Sequence, residues 1–234
     1  MTKAVIFDCD GVLIDSEIIA VEVEMALLAA HGLHYETAAF KTRFMGMSDA
    51  AFHAALAVDS HERLNRDLPA DFRARVDAGK HALSEEKLAA IAGVGRAVDA
   101  LVLPRAVASS SERAHLDYKL RRTGLWERFA PHIYSADHVA RAKPAPDLFL
   151  HAAAQLCIAP GDCLVVEDSV NGVTAGLAAG MRVWGFLGGG HMDEAAGERL
   201  RNAGAERLVA DWEEAAGLFG ALTSSCPHPS TGSG

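Results

Sequence analysis

From residue 3 to residue 187, short apolar runs alternate with longer stretches in which apolar positions recur every three or four residues. Residues 3–7 (KAVIF) are rich in β-branched side chains, which suits a strand buried on both faces. Similar runs recur at 106–108 (AVA), 163–166 (CLVV) and 182–187 (RVWGFL), with further strand patterns at 132–135 (HIYS) and 208–209. Helical patterns at 112–122, 145–156 and 171–179 separate them. Strands alternating with helices imply right-handed βαβ units, hence an α/β fold with a doubly wound parallel sheet.

The stretch 16–87 breaks this alternation. Its apolar positions keep a helical period throughout, through Ile18, Ile19, Val21, Met25 and Leu28, then Phe44, Phe52 and Leu56, then Phe72, Val76 and Leu83. It contains no convincing strand, and it has more helices than one sheet face needs. The pattern predicts an α/β core from 1–15 and 88–225, with an all-helical cap at 16–87 inserted after the first strand. Residues 226–234 (CPHPSTGSG) have no periodicity and are expected to be a disordered tail.

Composition narrows the function classes. The chain has 234 residues, a formal charge of −9, 50% hydrophobic and 23% charged residues, an ordinary globular balance. An acidic chain without clustered Lys and Arg is a poor partner for nucleic acid or an anionic membrane. No apolar run approaches the roughly 20 residues of a membrane span, and Met-Thr-Lys runs straight into the first strand pattern with neither a long apolar h-region nor a cleavage site. Cys9, Cys157, Cys163 and Cys226 lack the spacing of a zinc site or disulfide framework, so reduced thiols in the cytoplasm are expected. His31 and His34, the closest histidine pair, fall at a helix end and read as solvated. A monomer or weak dimer is expected.

Open α/β sheets bind ligands at the carboxyl ends of their strands. Asp8 and Asp10 follow the first predicted strand, Ser109, Ser110 and Ser111 the second, and Glu167 and Asp168 the strand at 163–166, with Lys143-Pro144 in a loop between. Four carboxylates at one edge repel each other and a phosphate unless a divalent cation intervenes, and hard oxygen donors suit Mg²⁺. A phosphoryl group would then bridge metal and Lys143 while Asp8 attacks phosphorus, and Asp10, two residues on, would act as acid and base. Each segment alone has a plainer use: turn aspartates, serine N-caps before a helix near 112, a solvated lysine.

Together, FDCDGVLIDSE, VASSS, AKPAPDLF and VVEDSVNGVTAG, in this order, resemble the four motifs of the haloacid dehalogenase superfamily. The closer resemblance is to its phosphatase and β-phosphoglucomutase branch, whose core is Rossmann-like with an inserted helical cap. This resemblance implies Asp8 as nucleophile, Asp10 as acid/base, and phosphate binding by Ser109, Ser110 and Lys143. It further implies Mg²⁺ on the Asp8 side chain, the Asp10 carbonyl and Asp168, with Glu167 either a ligand or behind one. Dehalogenases proper lack an acid at the position of Asp10 and need no metal.

Departures from the branch favour hydrolysis. Sugar phosphomutases resembling this chain carry a histidine where Ala20 stands, and a basic KGxxR element where Met45-Gly46-Met47-Ser48-Asp49 stands. Without those groups a second phosphate has less to hold it. Met45, Met47, Arg43 and Lys41 suggest a small, partly apolar specificity pocket. The expected reaction is Mg²⁺-dependent hydrolysis of a small phosphorylated metabolite: a sugar phosphate, a sugar-acid phosphate such as 6-phosphogluconate, or phosphoglycolate. A phosphomutase is the alternative, and a catalytically silent binding protein the remote one.

Overall fold

The predicted strands pair into one six-stranded parallel sheet in a computed structural model, which describes residues 1–44, 47 and 49–223. In chain order they are β1 (Ala4–Phe7), β2 (Arg105–Ala108), β3 (Ile133–Tyr134), β4 (Cys163–Glu167), β5 (Arg182–Phe186) and β6 (Arg207–Val209), and the spatial order is β3-β2-β1-β4-β5-β6. β3 is shorter than the predicted 132–135 because Ser135 opens a 3₁₀ turn, Ala136–His138, in which His138 Nδ1 meets the Ser135 amide and hydroxyl at 3.1 and 3.0 Å.

The central residues of the inner strands are apolar because both faces are covered. Ala4 and Ile6 point into one cluster with Ala106, Val165 and Val183, while Val5 and Phe7 point into another with Val107, Val166 and Trp184. Helices α8 (Asp147–Gln155) and α9 (Val170–Ala178) cover the first face through Phe149, Ala152 and Val173. Helices α5 (Val94–Ala100), α6 (Arg113–Arg122), α7 (Trp126–Phe129) and α11 (Trp212–Thr223) cover the second, with Trp212 and Phe219 flanking Phe7 at ring distances of 5.8 and 6.1 Å. Helix α10 (Glu194–Asn202) lies along β5 and β6 and brings Leu200 to the first face.

Four helices fill the inserted stretch: α1 (Glu17–His31), α2 (Thr37–Phe44), α3 (Asp49–Leu64) and α4 (Phe72–Lys87). Val21, Leu28, Leu33, Phe40, Phe44, Leu56, Phe72 and Val76 make a core of their own, separate from the two sheet clusters. At roughly 1.5–3 kcal/mol per buried large side chain, this cluster suffices to hold the cap together. Ile19 and Leu83 instead pack on the sheet-side cluster, tying both cap edges to the core, while Ile18 is exposed. His31 Nε2 lies 3.0 Å from Ser60 Oγ inside the cap. Among the described residues, no helix is long and apolar enough to cross a membrane, and Cys9, Cys157 and Cys163 are free. The 226–234 tail lies outside the described residues.

Candidate active site

Sheet order reverses between β1 and β4, the position at which open α/β sheets leave a crevice at their carboxyl ends. Register then decides which side chains meet there. Phe7 pairs with Val166 and with Val107, so the residue that follows β1, Asp8, emerges beside Glu167 and Ala108, one residue before Ser109. The Asp8 amide still donates to Val166 O at 3.0 Å, which fixes the start of the loop.

Lys143 closes the cluster from the loop before α8. Its Nζ donates to Asp8 Oδ1 at 2.6 Å, Glu167 Oε1 at 2.7 Å and Ala108 O at 2.9 Å, and it lies 4.7 Å from the Phe149 ring centre. The other Glu167 oxygen accepts from the Asp168 amide and from both amide and hydroxyl of Ser169, at 2.9–3.0 Å. Both oxygens of this buried carboxylate are therefore occupied. Gly172 makes this possible, since a Cβ there would lie 1.8 Å from Glu167 Oε1. Gly11 does the same for Asp168: its φ is +73°, and a Cβ would fall 1.8 Å from Asp168 Oδ2.

Burial and mutual repulsion dominate the electrostatics of these carboxyls. Burial pushes the Asp8 carboxyl well above its ordinary value; Lys143 pulls it down, but Glu167, Asp168 and Asp10 add to the rise. Burial also raises Asp168, and Glu167 adds to the rise, against a hydrogen bond from His191. Carboxylate oxygens of Asp8, Glu167 and Asp168 lie within 4.8 Å of one another. Such crowded, hard oxygens fit a divalent cation, which would relieve both raised acids.

Asp10 faces a different set of partners. Its Oδ1 accepts from Ser16 Oγ and from Lys119 Nζ (2.6 Å), and its Oδ2 from Lys119 Nζ (2.6 Å) and Ser111 Oγ (2.9 Å). Burial alone would raise its pKa, but Lys119 and the three sets of hydrogen bonds hold it below the usual value. The Ser109 hydroxyl is buried and accepts from the Ser111 amide at 3.1 Å, while Ser110 is exposed.

Asp8, Asp10, Ser109, Ser110, Lys143, Glu167 and Asp168 all line one cavity of about 500 Å³. Met47 reaches it from the cap. Arg43 does not: its guanidinium bonds Asp59 within the cap and lies 5.3 Å from the Phe44 ring. Lys41 crosses to the core and donates to Gly190 O at 2.8 Å. Met45 lies outside the described residues. A second cavity, about 700 Å³, lies between α1, α4 and α6, and Ala20 lines it.

Three further residues at this edge were not singled out from sequence. Lys119 lies eight residues beyond Ser111, two turns along α6, and reaches Asp10 from there. His191 follows β5 in a Gly-Gly-Gly-His loop; its Nε2 meets Asp168 Oδ2 at 3.0 Å, while its buried Nδ1 has no partner among the described residues. A histidine in the loop after a strand's carboxyl end was a legible signal. Glu17 ends the FDCDGVLIDSE string and lines both cavities. Burial, then the nearby Asp10 charge, lift its carboxyl to about 7.

Glu17 gives a stability signature. Its folded pKa lies above the ordinary 4.5, so the folded state binds the extra proton between about 4.5 and 7, and stability falls as pH rises through that window. At about 1.4 kcal/mol per pH unit, the loss amounts to up to about 3 kcal/mol. Metal-free Glu17→Gln is therefore expected to melt higher than the parent at pH 8 but not at pH 4.5. Parallel melting curves against pH would contradict this.

Known proteins resemble this chain in sequence and in fold. A family model described as haloacid dehalogenase-like hydrolase matches residues 2–180. A haloacid dehalogenase-like protein of unknown function from Agrobacterium tumefaciens superposes with a TM-score of 0.87 at 38% identity, covering 95% of this chain and 99% of that one. The phosphorylated carbohydrates phosphatase of Thermotoga maritima is 30% identical over 88% of this chain and 94% of its own length. The 6-phosphogluconate phosphatase of Escherichia coli K12 is 28% identical over 81% and 84%. With four ordered motifs on one sheet edge and a family model spanning most of its length, the chain belongs to the haloacid dehalogenase-like hydrolases.

Proposed function

We propose that the protein is a Mg²⁺-dependent phosphatase that hydrolyses a small phosphorylated metabolite through an aspartyl phosphate on Asp8. The observation that carries this reading is the buried Asp8 carboxylate, held 2.6 Å from Lys143 at the sheet's switch point and opening onto a cavity lined by Ser109, Ser110 and Ser111. Asp8 and Asp168 side chains, with the Asp10 carbonyl, would hold the ion, and Glu167, its oxygens already engaged, would orient Lys143 and the Asp168 backbone. Bound there, Mg²⁺ would neutralise phosphoryl charge as a Lewis acid.

The protein's own groups carry the steps. Asp8 Oδ attacks phosphorus as the bond to the leaving oxygen breaks, and Asp10 gives that oxygen a proton. Water then attacks the phosphorus of the aspartyl phosphate, Asp10 takes its proton, and Asp8 is regenerated. Lys119, Ser16 and Ser111 hold Asp10 ionised, the form that accepts a proton from water. A phosphoryl dianion arriving beside it raises its pKa and readies it to donate. Sugar phosphates, sugar-acid phosphates such as 6-phosphogluconate, and phosphoglycolate are the substrate candidates, and the similarity to two carbohydrate phosphatases supports the first two.

Phosphate release across such a panel is expected in the presence of Mg²⁺ and to fall at least about 100-fold in EDTA, a loss of several kcal/mol of charge stabilisation. Release that ignores the chelator would overturn the metal assignment. Isomerisation of β-glucose 1-phosphate without free phosphate would favour a mutase.

A further inference from the structure

His191 ends the Gly188-Gly189-Gly190 run in the loop that follows β5. Its Nε2 lies 3.0 Å from Asp168 Oδ2, and both side chains are 7% exposed. Two glycines make room for the ring: a Cβ on Gly11 or on Gly189 would fall 2.7 Å from His191 Cε1. The other ring nitrogen, Nδ1, is buried without a partner among the described residues. A stranded polar nitrogen is costly, and a leucine would fill the same space without one. Packing alone therefore does not account for a histidine here, whereas the contact with Asp168 does.

Gly190, the residue before it, is held by both of its backbone groups. Its amide donates to Asp15 Oδ1 at 3.0 Å, just before the chain enters α1 and the cap. Its carbonyl accepts from Lys41 Nζ, on cap helix α2, at 2.8 Å. The cap thus grips the residue beside His191, and His191 grips a carboxylate of the acidic cluster.

Resting on the metal assignment of the phosphatase reading, we infer that His191 is a positioning residue that holds the Asp168 carboxylate in its cation-binding pose, and that the Lys41–Gly190 contact makes this pose depend on the seat of the cap. An imidazole donating through Nε2 fixes one oxygen of Asp168, and carboxylates that ligate metals are commonly oriented by such partners. Coupling of this kind is reciprocal: lifting the cap loosens the ion, and binding the ion favours the seated cap.

The test reads Mg²⁺ affinity, without substrate, from the rise in melting temperature with Mg²⁺ concentration at pH 8. His191→Leu, which fills the ring's space without a donor, is expected to weaken Mg²⁺ binding about 10- to 100-fold. His191→Gln is expected to recover most of the loss, because its amide nitrogen can donate from near the position of Nε2. Lys41→Met is expected to weaken binding about threefold, the scale of one exposed hydrogen bond, and to add nothing in the His191→Leu background. Unchanged affinity in His191→Leu overturns the positioning role. Unchanged affinity in Lys41→Met, or an equal loss in both backgrounds, overturns the link to the cap. Should the Leu variant not fold, the Lys41→Met result decides. A wild-type melting temperature that ignores Mg²⁺ overturns the metal assignment and this inference with it, whereas a wild-type response that the variants share overturns the inference alone.

Discussion

Asp8→Asn is expected to lower kcat for phosphate release by about 10⁴-fold or more, the scale on which removal of a catalytic nucleophile acts. An amide is not a nucleophile toward phosphorus, and the neighbouring carboxylates among the described residues have partners of their own, Asp168 through His191 at 3.0 Å. Asp10 is held by Lys119, Ser111 and Ser16, and both oxygens of Glu167 are engaged. The variant should nonetheless fold. Asp8 is buried and its carboxyl is held well above the ordinary value, so a neutral side chain of equal shape relieves repulsion from Glu167 and Asp168. Lys143 keeps Glu167 and Ala108 O as partners. A melting temperature within a few degrees of the parent, at about 2–4 °C per kcal/mol for a chain of this size, together with lost turnover, is the expected pair of results. Turnover retained above a trace in a folded Asn variant would remove Asp8 from the chemistry.

Asp8 was legible in the chain. Its position follows from two facts a sequence carries openly: a strand apolar on both faces, and polar residues immediately after it. The same holds for Ser109 after β2 and Glu167 at the end of β4, because parallel strands share a carboxyl edge and register places their ends side by side. Lys143 was harder, since its loop position says nothing of the 2.6 Å contact, and only the four-motif pattern made it more than a surface lysine. Lys119 was invisible for a physical reason. It belongs to a helix face, and a helical lysine with an amphipathic stem looks the same whether its head meets solvent or a carboxylate. In the cap, the apolar period along the chain marks helices and a core, but not which side chains face the site. That depends on how the cap packs over the sheet, so Arg43 could not be distinguished from Met47, although one bonds Asp59 and the other lines the cavity.

Lys143→Ala is the second large effect expected, and it concerns stability as well as rate. The ammonium is 5% exposed and compensates two carboxylates exposed 11% and 1%. Burial alone would lower its pKa, but Asp8 and Glu167 outweigh that and hold it above its usual value. Removing one partner of a buried ion pair leaves uncompensated charge and costs about 3–5 kcal/mol, so the metal-free variant should melt roughly 10 °C lower. The sign of the pH dependence follows from Asp8. Its folded pKa already lies above the unfolded one, and losing Lys143 removes the group that lowers it. The penalty is therefore full above the folded pKa and fades as pH falls and the carboxyl takes up its proton. Urea unfolding in EDTA should show a larger deficit at pH 8 than at pH 5, and Mg²⁺ at pH 8 should recover part of it by supplying the charge the lysine no longer does. Activity should fall as well, because the lysine and the ion would share the phosphoryl charge. A deficit independent of both pH and Mg²⁺ would mean that Lys143 stabilises by packing its stem against Phe149, and that the charge account of this site is wrong.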